Sequence, residues 1–379
     1  MDIDYQVAVI GAGIVGASIA ARLTSLGLTV ALLEQGSVAS LGASAWSGGL
    51  VRLYDADPLL MQLTAHSLQV MRSPVFATTY TQALRCTGVL YRAGVDQQAD
   101  LQAAIDRHAS AEYPMQWLQG HGLYARRDDR LDLFEPNACV GDVRQATARL
   151  CGVLRSQGLV LEHCQVQAID WQADGSASIH LGQARLRCRV VVLASGAWTR
   201  RLLPALALES RSIPLARVLT ERSWSLPVID APSASYAIPL SRHIVQSGCG
   251  LRDRAAWPQD LAPPDARHYH DALKRVTQLA GGGQAQVLDI LPGFDSYSAD
   301  GRPLLGFVDD QRGLYVACGL SGLGFKFAPG IADIAGRQVN RYLTTGDPGM
   351  ASPWTALCAR RALHRIQPAD LQQGNGHEQ

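Results

Sequence analysis

The sequence has no excess of either charge. Its 379 residues carry 34 Lys and Arg against 33 Asp and Glu, so it lacks the positive balance typical of proteins that bind nucleic acid or anionic membranes. The densest charged run, residues 126–130, mixes arginines with aspartates, which is typical of a solvated loop. We therefore predict neither nucleic acid nor a membrane as a partner.

Long apolar runs and metal-ligand spacings are also missing. The longest uncharged apolar stretch, residues 7–21, is too short to cross a bilayer, and Asp2 and Asp4 stand where a secretory signal would be positively charged. The ten histidines show no H-E-x-x-H spacing, and the eight cysteines form no C-x-x-C pair. These absences predict a cytoplasmic protein with no metal, whose cysteines are small core residues kept reduced.

The most informative stretch is the amino-terminal one. Residues 7–10 form an uncharged β-branched run typical of a buried parallel strand, and a G-x-G-x-x-G pattern follows. These glycines allow a tight turn, the approach of a pyrophosphate to the helix N-terminus, and close packing of helix on strand. A helix to Ser25 and a second strand at 29–33 lead to an acid placed for a ribose hydroxyl. The predicted dinucleotide contacts here are Gly11, Gly13, Ile14, Val15, Gly16, Glu34 and Gln35.

A loop rich in Ser, Ala and Gly covers residues 37–57. Small residues let a backbone follow a cofactor closely, with the Ser44 hydroxyl offered to phosphate; an ordinary flexible loop is the alternative. Arg52 near its end is either paired with an acid or presented to a substrate carboxylate, and both interpretations stay open. The predicted cofactor contacts of the loop are Ser44, Trp46, Ser47, Gly48 and Gly49.

Further elements follow the same logic. Predicted helices cover residues 58–71, 96–108, 143–157 and 268–279, and predicted strands cover 86–93, 159–169, 181–186 and 189–194. The last strand ends in Ala194, Ser195 and Gly196, with Trp198 just beyond, and Val166 is placed for an adenine pocket. Because an NAD domain is usually contiguous, this second approach to the ligand favours FAD.

The carboxyl-terminal third changes character. Prolines and short strands between residues 212 and 286 predict an antiparallel second domain that covers the ligand. A buried strand at 313–317 is followed by a glycine-rich turn and a helix predicted over 329–342, whose N-terminus would stabilise negative charge on a flavin pyrimidine edge. Beyond residue 346 we expect a loosely held tail. The predicted contacts of the turn are Gly319, Ser321, Gly322, Leu323, Gly324, Phe325 and Lys326, the lysine being either a surface residue or a cation beside the substrate.

Four pieces of sequence, GAGIVGASIAARL…VALLEQG, GASAWSGG, VVVLASGAWT and SADGRPLLG…LYVACGLSGLGFKFAPG, resemble the D-amino acid oxidase superfamily of flavoproteins, and its sarcosine oxidase and glycine oxidase branch in particular. The resemblance implies an α/β fold with a Rossmann-like, glutathione-reductase-type FAD domain and an antiparallel substrate domain. It implies residues 1–85, 139–212 and 298–346 for the first domain, 86–138 and 213–297 for the second, and a tail at 347–379.

The resemblance also implies a reaction. Members of this branch oxidise a C–N bond of an amine or amino acid by hydride transfer to flavin N5, which gives an imine that water hydrolyses. Arg52 and Lys326 fall where relatives hold the substrate carboxylate, and Asp295, Tyr297 and His243 are weaker candidates for the amine side. A carrier- or peptide-tethered substrate, and a dehydrogenase subunit that passes electrons to a partner protein, remain alternatives.

Several positions depart from the family pattern. Gly293 stands where sarcosine oxidases attach flavin through cysteine, so the FAD is expected to be noncovalent. Trp46 replaces an arginine of many relatives. Asp295 replaces a carboxylate-binding arginine, and is either a site for a substrate cation or a paired structural acid. The oxygen-activating lysine aligns with Arg252 or with an apolar residue near Val245, which leaves the electron acceptor open.

Overall fold

The computed structural model describes residues 3–118, 129–309 and 312–363. Residues 126–128 of the charged run and the tail residues 364–379 lie outside this part. The described helices, α1 to α8 in chain order, are Ile14–Ser25, Pro58–Met71, Ala77–Ala83, Gln98–His108, Val143–Arg155, Thr199–Leu202, Ala266–Ala280 and Gly324–Thr345. None of them combines the length and apolar character that a bilayer crossing requires.

The described strands, β1 to β22 in chain order, are Tyr5–Ile10, Val30–Leu33, Leu50–Val51, Leu84–Cys86, Val89–Gly94, Gln116–Trp117, Arg130–Glu135, Cys139–Gly141, Leu159–Leu161, Ala168–Trp171, Ala177–Leu181, Ala184–Leu193, Glu209–Ser212, Leu215–Thr220, Val228–Asp230, Ser235–Pro239, Ile244–Gly248, Arg254–Ala255, Ala285–Leu291, Phe294–Tyr297, Leu304–Phe307 and Leu314–Cys318.

The first large sheet has a parallel centre in the order β22-β12-β1-β2-β9. Its central strands are apolar on both faces because α1, α5 and α8 pack on one side and a second apolar cluster fills the other. The β10–β11 hairpin and β21 extend it as antiparallel additions. This is the Rossmann-like α/β arrangement that the sequence predicts, and it gathers the carboxyl ends of β1, β2, β12 and β22 at one edge.

The second large sheet runs in the order β19-β14-β17-β16-β15-β5-β7-β6. Its neighbours are antiparallel except for the β15–β5 pair, which is parallel. Helix α7 packs against it over a separate apolar cluster. An antiparallel sheet built from these segments was expected, whereas the exact domain boundaries remain a prediction.

Several predicted elements differ from the structure, and the predicted strand at 86–93 is divided between β4 and β5. Residues 159–169 contribute to two strands, because β9 pairs with β2 in parallel whereas β10 pairs with β11 in antiparallel orientation. Residues 181–186 and 189–194 are not successive strands: β12 runs unbroken over Ala184–Leu193, with Arg187 and Arg189 alternating with buried residues. Helix α8 begins at Gly324 rather than at Pro329, because burial of residues 325–328 stabilises a first turn although Pro329 leaves one backbone hydrogen bond unmade.

The segment after α8 is not loosely held as far as residue 363. Leu357 and Ala359 are fully buried, and Leu363 forms a bridge with Leu206. The Arg361 guanidinium donates to the Asp300 carboxylate at 3.1 Å, which fastens the segment to the turn before β21. The prediction of a loose tail is therefore wrong for this part of the chain, because apolar side chains every few residues give it a surface to bury.

Two cysteines also depart from expectation. Cys86 of β4 and Cys139 of β8 stand opposite each other in an antiparallel pair and form a disulfide. They are 53 residues apart in sequence, so nothing in their spacing indicates the bond. The other six cysteines are free, as expected for small residues of the interior.

Candidate active site

A cavity of about 440 Å³ lies between the two large sheets, at the carboxyl ends of the parallel strands. This is where open α/β sheets bind their ligands. The predicted site residues that line it are Gly11, Gly13, Ile14, Val15, Glu34, Gln35, Ser44, Trp46, Ser47, Gly48, Gly49, Arg52, Val166, Ala194, Ser195, Gly196, Trp198, Asp295, Tyr297, Ser321, Gly322, Leu323, Gly324, Phe325 and Lys326. The structure thus brings together segments that are far apart in sequence.

Three of the predicted site residues lie elsewhere. Gly16 lies beneath the cavity, where a Cβ atom would overlap the carbonyl oxygen of Gly11; its role is close packing of α1 on β1. Gly319 packs against Leu208. His243 is exposed, with its ring 3.3 Å from the Thr220 carbonyl oxygen, so the structure does not bring this candidate to the cavity.

The turn between β1 and α1 is shaped for a ligand that approaches the backbone. Gly11 has φ +105°, and a Cβ atom there would lie 2.6 Å from the Ala194 carbonyl oxygen. The Ile14 N–H donates to the Ser44 hydroxyl at 2.9 Å, which draws the small-residue loop over the helix N-terminus. Unpaired N–H groups and the helix dipole favour an anion at this point.

Glu34 forms the next part of the cavity wall. Its carboxylate accepts N–H groups from Ala12 at 2.7 Å and from Gly36 at 2.9 Å. The acid therefore stands at the end of β2 and joins the first glycine-rich turn to the second strand. This is the position in which a ribose hydroxyl would find its acceptor.

The loop over residues 39–50 makes two close contacts that exclude larger side chains. Gly49 has φ +67°, and a Cβ atom there would overlap the Gly141 carbonyl oxygen, while the Gly141 N–H donates to the Gly49 oxygen at 2.8 Å. Gly141 in turn lies against the Phe325 ring. Strand β8 therefore supports both the small-residue loop and the first turn of α8.

Asp295 supports the turn that precedes α8. Its buried carboxylate accepts the Gly322 N–H at 2.8 Å and the Ser296 N–H at 2.7 Å. Burial raises the pKa of Asp295 to about 6, although these hydrogen bonds oppose the shift. Of the two open interpretations, these contacts are those of a structural acid that also lines the cavity.

Lys326 and Arg52 lie at one end of the cavity with two acids that the sequence did not single out. The Lys326 ammonium, only 3% exposed, is 2.7 Å from the Asp55 carboxylate. Burial lowers the pKa of Lys326 to about 8, while Asp55 opposes the shift. Glu135 lies beneath them and accepts the Tyr54 N–H at 3.2 Å; its burial raises its pKa. The Asp55–Lys326 pair spans 271 positions, and no local pattern could reveal it.

Arg52 itself makes no ion pair with any residue of the described chain. Its guanidinium donates to the Tyr54 carbonyl oxygen and lies over the Tyr91 ring, 5.2 Å from the centroid. These contacts fix the guanidinium at the cavity wall and leave donors for a ligand. Arginine in this setting binds a carboxylate through two parallel hydrogen bonds.

The cavity wall carries a second guanidinium. Arg252, after β17, donates to the Tyr297 hydroxyl at 3.0 Å, and both residues line the cavity. Val245, the other residue considered for this position, is fully buried and is not part of the wall. Tyr236 and Arg201 also line the cavity, and neither was predicted from the sequence.

A family model described as "FAD dependent oxidoreductase" (DAO) matches residues 6–338. The chain belongs to the DAO family of FAD-dependent oxidoreductases. It is 25% identical to glycine oxidase from Pseudomonas putida over an alignment of 371 residues that covers 92% of this chain and 96% of the relative.

One further relative and one solved structure are also similar to this chain. It is 25% identical to 4-methylaminobutanoate oxidase (formaldehyde-forming) from Paenarthrobacter nicotinovorans over 91% of this chain, but spans only 44% of that relative. L-Proline dehydrogenase from P. horikoshii superposes with a TM-score of 0.80 at 17% identity, covering 95% of this chain and 98% of the other. This last likeness shows the fold alone.

The residues present fit FAD. The Gly11 turn and the N-terminus of α1 would hold its phosphates, Glu34 its ribose, and the turn before α8 its ring. Cβ atoms at Gly11 and Gly49 would collide with the backbone behind them, so the smooth wall of the cavity depends on glycine at both places. Among the described residues, no group of three or more His, Cys, Asp or Glu side chains is placed to bind a metal.

Proposed function

We propose that the chain oxidises a C–N bond of a small amine or amino acid to an imine, with bound FAD as the hydride acceptor. The observation that carries the proposal is an unpaired arginine, Arg52, in the same cavity as the cofactor segments and beside the buried Lys326–Asp55 pair. The names of the relatives, glycine oxidase and 4-methylaminobutanoate oxidase, describe substrates that carry both an amine and an acid.

Binding and orientation are the tasks of this chain's own residues. Arg52 would grip the substrate carboxylate, and Lys326, protonated at neutral pH because its pKa is about 8, would add a second positive charge. The Asp55 carboxylate holds the ammonium in place. Fixing one end of the substrate in this way positions its C–N bond, which is a large part of catalysis for a reaction that needs no strong base.

The decisive experiment is anaerobic mixing of the FAD-loaded protein with a panel of amino acids, N-methyl amino acids and simple amines. We expect an amine that carries a carboxylate to bleach the flavin absorbance. Arg52→Gln is expected to weaken binding of that compound by about 100-fold, because a charge-assisted pair is lost. Arg72→Gln is the matched control, since Arg72 also lies over a tyrosine ring, Tyr113, but outside the cavity.

The alternatives are separate outcomes of the same experiment. No bleaching by any free compound would contradict the proposal and favour a carrier- or peptide-tethered substrate. Bleaching followed by slow reoxidation in air would support a partner protein as electron acceptor. Arg252, which the family resemblance aligns with the oxygen-activating lysine, lines the cavity, and its positive charge would favour oxygen as the acceptor.

Noncovalent attachment of FAD is part of the proposal. Gly293 offers no side chain, and even a Cβ atom there would lie 2.5 Å from the Ile213 carbonyl oxygen. Acid precipitation should therefore leave the yellow colour in the supernatant. Colour that stays with the precipitated protein would contradict it.

A cytoplasmic location is also proposed and needs its own test. Six free cysteines fit a reducing compartment, whereas the Cys86–Cys139 disulfide is a feature of oxidising ones. Trapping the thiols in intact cells before fractionation would show which state the protein has where it accumulates. Recovery outside the cytoplasm would overturn the proposed location.

A further inference from the structure

We propose that Arg252 and Tyr297 form a second anion-binding subsite, so that the preferred substrate is an amine with an acidic group at each end. The assignment to a substrate depends on the proposed function. The subsite itself is argued from this cavity alone.

The first step concerns charge. Four basic side chains line the cavity, and Lys326, paired with Asp55 at 2.7 Å, serves the same carboxylate as Arg52 in the proposed function. Arg201 follows the 194–198 segment at the nucleotide end and lies near the Trp257 ring. Arg52, Arg201 and Arg252 form no ion pair with any residue in the described ranges, and because Arg201 adjoins a segment predicted to contact the cofactor, Arg52 and Arg252 remain for a substrate. Arg52 is half-buried and Arg252 is exposed to solvent at the cavity wall, so each guanidinium has donors available for an anionic group.

The second step concerns where the two arginines lie. Tyr91, Ile229 and Tyr236 stand opposite one another across β5, β15 and β16, so their side chains share one face of the sheet. Two strand spacings of about 4.8 Å place the ends of this row roughly 10 Å apart. Arg52 lies over Tyr91 at one end, 5.2 Å from the ring centroid.

Arg252 belongs to the other end of the row. The Tyr236 hydroxyl lies beside Gly248, where a Cβ atom would be 2.7 Å from it, and Tyr236, Arg252 and Tyr297 all line the cavity. Burial raises the pKa of Tyr236 to about 12, and the charge of Arg252 opposes this rise, as expected for close neighbours. Arg252 is then held by the Tyr297 hydroxyl at 3.0 Å.

The third step concerns what lies between. Ile213, Ile229 and Ile238 line the cavity, and Ile229 stands between Tyr91 and Tyr236 in the row, so a ligand that spans the row would pass an apolar side chain. Asp295 is the acid on this side, and its two oxygens accept backbone N–H groups. The geometry therefore fits a ligand with two acids joined by a short apolar spacer, the amine lying along the spacer.

The test uses the FAD-loaded protein and two series of probes. Straight-chain dicarboxylates from succinate to pimelate are compared with monocarboxylates of the same carbon count, and binding is read from the change in flavin absorbance. We expect one dicarboxylate length to bind about tenfold or more tighter than its monocarboxylate, because a second charge-assisted contact forms.

Variants test which residues cause the preference for dicarboxylates. Arg252→Gln should remove the dicarboxylate preference while leaving monocarboxylate affinity unchanged within about twofold, and Arg252→Lys should restore part of it. Tyr297→Phe should reduce the preference by releasing the guanidinium. Arg254→Gln is the matched control, because Arg254 lies 3.4 Å from Glu209 and outside the cavity.

Each other outcome counts against the subsite. Equal affinity of the two series in the wild-type protein, or equal loss for both in Arg252→Gln, would overturn it. Weaker FAD binding to the Arg252→Gln apoprotein with the preference intact would assign Arg252 to the cofactor instead. A preference that depends on Arg252 in a protein that no amine bleaches would leave the subsite standing and refute only the proposed function.

Discussion

Lys326 shows how burial and pairing compete at a single residue. Removal from water favours the neutral amine, whereas Asp55 favours the ammonium. The effect of burial is the larger of the two, so the pKa of Lys326 falls to about 8. The charge on this side chain is therefore present at neutral pH and lost in mildly alkaline solution. Loss of the proton leaves the Asp55 carboxylate beside the ligand without its partner.

This balance predicts how ligand binding depends on pH. Affinity for a monocarboxylate should fall by up to about tenfold for each pH unit above about 8, as Lys326 loses its charge. In Asp55→Asn the fall should begin at a lower pH, because the charge that opposes the effect of burial is gone. Flavin absorbance titrations across the alkaline range would measure both curves.

Asp106→Asn, an exposed carboxylate on α4, is the control and should reproduce the wild-type curve. Coincident curves for the wild type and Asp55→Asn would show that Asp55 does not set the proton affinity of Lys326.

The pKa of Asp295 is shifted in the opposite direction. Its folded-state pKa of about 6 lies above the usual 3.8, so the folded protein holds this proton more tightly than the unfolded chain. The contribution of the group to stability is therefore greatest at low pH and is lost as the pH rises from about 4 to about 6. Relative to Asp295→Asn, the wild type should gain up to about 3 kcal/mol on acidification across this window.

Urea unfolding of the two apoproteins at a series of pH values measures that difference. The difference should be constant above about pH 7, which serves as the internal reference. A difference that does not change with pH would mean that Asp295 titrates normally and that its burial has been compensated elsewhere.

At the scale of elements, α1 depends on one close contact. A Cβ atom at Gly16 would overlap the Gly11 carbonyl oxygen, so Gly16→Ala must push α1 away from β1. Because the N-terminus of this helix would hold the cofactor phosphates, FAD affinity should fall by about 100-fold or more. Fluorescence titration of the apoprotein with FAD is the measurement.

Gly152→Ala provides the matched substitution in another helix, α5. Nothing lies within 4 Å of a Cβ atom at Gly152, so FAD binding should be unchanged and stability should rise by about 0.5–1 kcal/mol. Equal FAD affinity for the two alanine variants would refute the role given to the Gly16 contact.

The elements also show what a sequence can reveal. The strand, glycines, helix and acid of residues 5–34 lie within one continuous segment, and their spacing alone predicts β1, α1, β2 and the place of Glu34. The run of β12 was harder, because Arg187 and Arg189 interrupt the apolar pattern although their side chains alternate outward. In a partly exposed strand, buried and exposed side chains alternate, and an exposed arginine in this alternation resembles the end of one strand and the start of the next.

Pairs of residues that come together only in the folded chain could not be predicted from the sequence. Asp55 has no local feature that indicates Lys326, and Cys86 has none that indicates Cys139. Arg52 and Lys326 were proposed from their neighbours and a family resemblance, and the structure adds which of them is already paired. Contacts of this kind depend on how the sheets approach each other, which is not encoded in spacing.

At the scale of the whole molecule, the segment after α8 fastens parts of the first sheet together. Leu357 is fully buried against β21, so Leu357→Ala should destabilise the protein by about 2–4 kcal/mol through the cavity that it leaves. Thr355→Ala, an exposed position two residues earlier, should change stability by less than about 0.5 kcal/mol. Thermal unfolding of the FAD-loaded variants compares them.

The same melting temperature for both variants would show that this segment is docked without contributing to the cooperative unit. A selective loss for Leu357→Ala would show that residues beyond α8 are part of the folded core rather than an appendage.

The residues that line the cavity extend from Ile10, in the first strand, to Lys326, in the last long helix. During synthesis, the first glycine-rich turn leaves the ribosome long before the turn that must close over the same ligand. A nascent chain can therefore form the nucleotide half of the pocket but cannot enclose the ring until α8 has emerged. We therefore expect the flavin ring to be enclosed only after α8 has been synthesised, so that a chain made without FAD would be completed as the apoprotein.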